Sequence, residues 1–284
     1  MKRCHAHPTG CRKVAALIVC RNEEDHIGST IDSLKRQTYP VDLIVVVDDG
    51  STDNTRKIAE SKGCIVLSLP YHEESYVGRP ELAERWNIGL AHVRKFSPDY
   101  VLLMGADHVL PPNYVEEILK RMKGKVVIAS GRIRGEPFVE MAPRGSGRIV
   151  KTSFWIKINN MQYPVIWGWE SWLCYKALQL GYEVKCFKDV VTNISRPTGL
   201  GKAEYLGKAM YALGYYWGYA LGRCFLTFLR SPNAGLKMFL GWIIHKDVKR
   251  ADTAKWVSNM QKQLIWNRIK LMIRKNKSNG KPVW

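Results

Sequence analysis

The chain has 284 residues, 46% of them hydrophobic and 24% charged, which excludes a disordered, collagen-like or low-complexity polymer. Its length predicts one large domain or a domain with an appendage, and its mean hydropathy of -0.23 argues against a polytopic membrane protein. The charge is unusual: 44 Lys+Arg oppose 25 Asp+Glu, a formal net of +19. Residues 200–284 hold 16 of those basic residues and only 3 of the acidic ones. A basic tail on a near-neutral body points to a polyanionic partner, either a membrane surface or nucleic acid.

The first apolar run, Val14–Cys20, reads as a buried strand, and it starts too late and is too short for a signal peptide. Residues 1–13 are expected to form a loosely ordered leader, although Cys4-His5-Ala6-His7 with Cys11 has some of the character of a zinc site. Asn22 is placed to cap a helix with Ile27, Ile31 and Leu34 on one stripe, ending at Tyr39-Pro40. A second strand, Leu43–Val47, runs into the polar turn Asp48-Asp49-Gly50-Ser51-Thr52-Asp53. A helix to about Lys62, a strand Ile65–Leu69, a long connection through Tyr71–Gly78 and a helix through about Arg94 follow. Tyr100–Met104 and Val126–Ser130 read as strands flanking a helix over Pro112–Met122. From Ile133 to Tyr163 the pattern loosens into edge strands and loop. Trp169–Leu180 is a helix with Trp169, Leu173 and Ala177 along one stripe, and Tyr182–Phe187 a short strand.

Strands alternating with helices at these lengths imply βαβ units, and so an α/β, mainly parallel sheet with helices on both faces. Ligands of such sheets sit at the carboxyl ends of the strands. Those ends carry Arg21-Asn22-Glu23, Asp48-Asp49 and Asp107-His108. A rim of carboxylates and amides suits a sugar nucleotide whose phosphates arrive with a divalent cation. Cys20, Cys64, Cys174 and Cys186 lie in or beside apolar runs, so buried free thiols and a reducing, cytoplasmic compartment are expected.

Five segments then bear a collective resemblance. Leu17-Ile18-Val19-Cys20-Arg21-Asn22-Glu23-Glu24 and Val46-Val47-Asp48-Asp49-Gly50-Ser51-Thr52-Asp53 come first. Trp86-Asn87-Ile88-Gly89-Leu90 follows, then Leu103-Met104-Gly105-Ala106-Asp107-His108 with Pro111-Pro112, and finally Gly168-Trp169-Glu170 with Gly181-Tyr182. In this order they resemble the family 2 glycosyltransferases of GT-A fold, across roughly residues 14–199. The resemblance implies inverting transfer of a sugar from a UDP- or GDP-sugar donor to a glycan hydroxyl or a lipid-linked acceptor. It implies donor contacts from Arg21, Asn22, Glu23, Asp48, Asp49, Arg85, Asn87 and Asp107, with Arg85 one position early relative to the family's arginine. Asp107, with His108 as a second ligand, would hold Mn2+ or Mg2+. Glu170 falls where the family keeps its catalytic acid, so it would be the general base, ionised at a helix N-terminus. Trp169 and Trp172 would meet the acceptor, and Arg196 the diphosphate.

Three departures accompany the likeness. Gly105 stands where the family has the first metal-binding Asp, Trp169 replaces an acid, and Asn193 lies near the position of a further metal-ligand His. They keep open an alternative, a GT-A-fold binding or scaffold protein with impaired catalysis. Beyond about residue 200 the chain reads as a helical, basic extension. Ala251–Lys275 places Val257, Met260, Leu264 and Leu271 near one face, interrupted by Arg268, and Tyr211–Leu229 is apolar but broken by Gly and Arg. Both fit a peripheral surface on the cytoplasmic face of a membrane, with nucleic acid the less favoured polyanion.

Overall fold

The computed structural model describes residues 12–196, 202–245 and 248–278, with side chains through Leu271. The Cys4–Cys11 cluster therefore lies outside the described residues, as do Pro197–Gly199. The chain divides into two compact units. The first comprises Met1–Val77, Glu81–Pro164 and Lys176–Thr198; the second comprises Gly78–Pro80, Val165–Tyr175 and Gly199–Trp284. The second unit therefore takes in two internal segments besides the C-terminal extension.

The elements run β1 (Val14–Cys20), α1 (Glu24–Lys35), β2 (Leu43–Asp48), α2 (Thr55–Ser61), β3 (Ile65–Ser68), α3 (Glu81–Lys95), β4 (Tyr100–Met104), β5 (His108–Val109) and α4 (Tyr114–Arg121). They continue with β6 (Val126–Ile133), β7 (Arg148–Lys151), α5 (Thr152–Asn159), α6 (Trp169–Gln179) and β8 (Glu183–Ile194). All eight strands belong to the first unit and form one sheet in the order β3-β2-β1-β4-β7-β6-β8-β5. β3, β2, β1 and β4 are mutually parallel, β7 runs antiparallel to both β4 and β6, and β8 pairs parallel with β6. The fold is α/β of GT-A-like form. Val14 through Ile18 are each 0% exposed, the continuous burial expected of a strand covered on both faces. Ile27, Ile31 and Leu34 bury the stripe of α1 against this core.

Several expectations are corrected by the geometry. Asn22 does not cap α1: its backbone is left-handed at φ 53, and its Oδ1 accepts from Thr52 N at 2.9 Å. The start of α2 is held instead by Asp53, whose Oδ1 accepts from Thr55 N and Oγ1 at 3.0 and 2.6 Å. Its other oxygen accepts from Glu24 N at 3.1 Å, so one carboxylate ties the entries of two helices. The segment 133–163, expected to be loose, contains β7 and the helix α5. The strand expected over Tyr182–Phe187 runs on to Ile194 after an irregularity opposite Gly131 and Arg132. That extension matters, because β8 then pairs antiparallel with β5, setting His108 beside Ile194 and Val109 beside Asn193.

In the second unit, α7 (Ala203–Ala212), α8 (Trp217–Arg230) and α9 (Pro232–Ile243) close on a small core of Ala203, Met210, Ala220, Cys224, Ala234 and Met238. α7 and α9 meet backbone to backbone: a Cβ on Gly207 would lie 2.1 Å from Met238 O, and one on Gly241 2.2 Å from Glu204 O. The run 211–229 is thus divided between α7 and α8, with Gly214 at φ 71 in the turn. α10 (Ala254–Ser278) packs at its start through Ala254, Val257 and the buried Gln261, which accepts from Tyr216 N at 2.9 Å. Met260 is half-buried, while Leu264 and Leu271 are exposed rather than part of one packed apolar face. Among the described residues no helix is long and apolar enough to cross a membrane, and no cysteine is in a disulfide.

Candidate active site

The carboxyl ends of β1, β2 and β4 open onto a cleft of about 580 Å³ within the first unit, lined among others by Arg21, Asn22, Glu23, Asp49, Tyr76, Trp86, Asp107 and Arg196. The turn after β2 is forced by Gly50, at φ 72, where a Cβ would lie 2.7 Å from Pro70 O. Asp48, 4% exposed, faces inward and accepts from Ser51 N at 3.1 Å, so it shapes the turn while Asp49 meets the cleft.

Asp49 is bonded by one neighbour and flanked by another. Arg85 Nε lies 3.2 Å from its Oδ1, and His72 Nε2 lies 3.1 Å from its Oδ2. Tyr76 is held between the same two partners, its ring stacked on His72 at 4.1 Å and covered by the Arg85 guanidinium at 4.6 Å. Arg85 therefore braces two residues that line the cleft, Asp49 and Tyr76, instead of extending from a solvated helix face. Arg21 organises the same wall: Nη1 donates to Glu74 O at 2.9 Å, Nη2 donates to His72 O, and the guanidinium lies over Tyr71. His72 and Tyr76 carry no periodic sequence signal. Their one cue was an aromatic, polar connection unusually long for a βα link.

Asn87 takes a different part from the one its motif suggests. Its Nδ2 donates to Tyr163 O at 2.9 Å and its Oδ1 accepts from Tyr163 N at 2.7 Å, so the amide brackets the chain after α5. Trp169 and Trp172 are buried in the second unit at 7% and 3% exposure. Their indole N–H groups donate to Arg79 O at 3.2 Å and to Asp252 Oδ1 at 2.6 Å, a packing arrangement that withdraws their faces from an acceptor. Glu170 is exposed in the first turn of α6.

At the other side of the cleft, Arg196 reaches back from the end of β8. Its Nε donates to Asp107 Oδ2 at 3.2 Å and its Nη2 donates to Glu23 Oε1. The bond to Glu23, and then that to Asp107, hold the guanidinium above its ordinary pKa, so it is charged throughout the physiological range. The β5–β8 register makes this possible, because pairing His108 with Ile194 returns the chain over Asp107, where Ser195 N donates to Asp107 O at 3.0 Å.

The expected metal ligands do not fit a divalent ion. His108 is fully buried with Nδ1 2.6 Å from Ser146 Oγ, and burial pushes its pKa down to about 4. Gly105 offers no donor side chain, and the space a Cβ would take is bounded by Asp107 Oδ1 at 3.2 Å and Ser146 Oγ at 3.3 Å. Asn193 Oδ1 accepts from Arg134 Nε at 3.2 Å. Asp107 and the neighbouring Glu23 are both paired with Arg196. Among the described residues no group of three or more His, Cys, Asp or Glu side chains is disposed to hold a metal.

The sheet, with an acidic, arginine-braced cleft at its carboxyl edge, places the chain in the GT-A-like α/β class, and similarity to known proteins narrows it. The glycosyl transferase family 2 model matches residues 15–180, more than half of the chain, and the chain belongs to that family. An uncharacterized glycosyltransferase of Rickettsia typhi is 34% identical over 107 residues, 38% of this chain and 32% of the relative. The chain thus spans about a third of the length of such curated relatives. Among solved structures, a mannosyltransferase from Pyrobaculum calidifontis in complex with GDP-Man and Mn2+ superposes with a TM-score of 0.57 at 16% identity, over 84% of this chain and 71% of that one. Glucosyl-3-phosphoglycerate synthase from Mycobacterium tuberculosis, with Mn2+, UDP and glucosyl-3-phosphoglycerate, gives 0.55 at 18% identity, over 70% of this chain and 78% of that one. These two likenesses establish the fold.

Proposed function

We propose that the chain is an inverting glycosyltransferase that takes a UDP- or GDP-sugar in the cleft at the ends of β1, β2 and β4. The observation that carries this reading is Asp49, a buried carboxylate bonded at a strand end by Arg85, with His72 Nε2 beside its other oxygen, and so pre-set to accept hydrogen bonds from a base or ribose. The nucleotides bound to the two solved neighbours lend further support. In the reaction, an acceptor hydroxyl oxygen attacks the anomeric carbon on the face opposite the diphosphate. The bond from that carbon to the phosphate oxygen breaks, its electron pair leaves on the diphosphate, and the hydroxyl proton passes to a carboxylate base. Glu170 is assigned as that base from its place in the family pattern and its seat in the first turn of α6. The acceptor is a glycan hydroxyl or a lipid-linked group.

A peripheral membrane surface is the favoured partner of the second unit. On α8, Phe225, Leu226 and Leu229 are 61%, 63% and 64% exposed, and they lie within the segment 200–284, where 16 basic residues face only 3 acidic ones. Cosedimentation with phosphatidylserine vesicles, but not with neutral ones, is the expected result.

Transfer from a panel of UDP- and GDP-sugars tests the main reading. Glu170→Gln should lower turnover by about 10²–10⁴-fold while leaving nucleotide affinity in place. Nucleotide binding without turnover on any donor would favour the impaired binding protein instead.

A further inference from the structure

Resting on the donor reading above, we infer that Arg196 is the fixed cation for the donor's diphosphate, and that this chain binds nucleoside diphosphates without a divalent metal. Three geometrical facts converge. Arg196 already occupies the cationic position, paired with Asp107 and Glu23, the two carboxylates that face each other across that end of the cleft. The side chains that could complete a metal's shell are absent, engaged or out of reach: position 105 is glycine, Asn193 accepts from Arg134, and His108 is fully buried and does not line the cleft. Finally, a dication at Asp107 would sit within a few ångströms of a guanidinium that is always charged, so the two exclude each other at a single carboxylate.

Chemistry favours the arginine in that contest. It is tethered to the end of β8 and therefore always present, whereas an ion must be captured from solution and must first break two ion pairs. A guanidinium carries five N–H donors in a planar fork. Asp107 engages Nε and Glu23 engages Nη2, and the fork retains donors for phosphate oxygens. When the sugar leaves, the electron pair of the broken C–O bond comes to rest on the terminal phosphate oxygen, and Arg196 faces that new charge with no proton transfer required. Glu23 and Asp107 hold the guanidinium in place and so act as positioning residues.

Isothermal titration of the full chain with UDP and with GDP, in excess EDTA and in excess MnCl2, tests this. Wild type should bind at least one nucleotide in EDTA, and Mn2+ should change its affinity by less than about threefold. Arg196→Ala, a change at a side chain 58% exposed, should weaken binding in EDTA by about ten- to a hundredfold, the range of one or two charge-assisted hydrogen bonds. Because that variant frees Asp107, Mn2+ should now restore part of its affinity, and Arg196→Lys should recover part of it in EDTA. Mn2+ tightening the wild type tenfold or more would overturn the inference while leaving the donor reading intact, and so would Arg196→Ala matching wild type in EDTA. Failure of either nucleotide to bind in either medium would overturn both.

Discussion

The crossing of α7 and α9 makes an unusually sharp prediction, because one substitution should have opposite signs at two helical glycines of the same unit. In Gly207→Ala the new Cβ would stand 2.1 Å from Met238 O and 2.7 Å from Trp242 N, both backbone atoms that cannot swing aside. Relief to ordinary contact requires the helices to part by more than about 1 Å, loosening a core built on Ala203, Met210, Ala220 and Met238. Overpacking of this kind costs about 1–3 kcal/mol and here belongs at the upper end, against a helix-propensity gain of about 1 kcal/mol. The net expectation is a loss of about 2 kcal/mol. Gly222, in the middle of α8, has nothing within 4 Å of its virtual Cβ. Gly222→Ala should therefore stabilise by about 0.5–1 kcal/mol through propensity alone. Urea unfolding followed by far-UV circular dichroism reads both, with midpoints displaced in opposite directions. A Gly207→Ala midpoint at or above wild type would refute the account of the crossing.

Further outcomes follow from individual contacts. Asn87→Ala should cost about 1–3 kcal/mol of stability by leaving the buried Tyr163 backbone groups unpaired, and should leave nucleotide affinity unchanged when measured by titration. Asp49→Ala should weaken UDP or GDP binding by about tenfold or more and leave Arg85 and His72 without their shared partner. His108 has a folded pKa near 4, below its ordinary value of 6.5, because burial disfavours the charged ring. The stability tied to its neutral form is thus fully present above pH 6.5 and lost as pH falls toward 4. About 2 kcal/mol should be gone by about pH 5, and His108→Gln should flatten that part of the urea-midpoint profile.

The first half of the sheet was legible because parallel strands covered on both faces must be unbroken apolar runs, and Val14–Cys20, Leu43–Val47 and Tyr100–Met104 are such runs. Asp49 could be placed for the same reason, since it follows the last residue of a strand. Arg196 was placed near the diphosphate, but its carboxylate partners escaped because they are held by distance in sequence. Arg196 meets Asp107 and Glu23 from 89 and 173 residues away, and no local pattern announces such a partner. His72 and Tyr76 lie on a connection without periodicity, where rings and guanidinium groups assemble the wall. β8 was cut short in the reading because Lys188 and Asp189 interrupt its apolar alternation, yet pairing to β6 resumes beyond them. Asn87 shows the opposite failure: its motif pointed to a ligand, while both ends of its amide are bonded to one backbone position.

The long excursion of β8 has a bearing on when the cleft becomes competent. Glu23 follows the first strand of the sheet, whereas Arg196 arrives only after the eighth has threaded past Gly131 and docked on the two-residue β5. A nascent or partly folded chain therefore presents bare carboxylates that repel phosphate. A nucleotide gripped by Arg196 would in turn clasp the beginning and the end of the sheet together, so that occupancy should slow the unfolding of the unit as a whole.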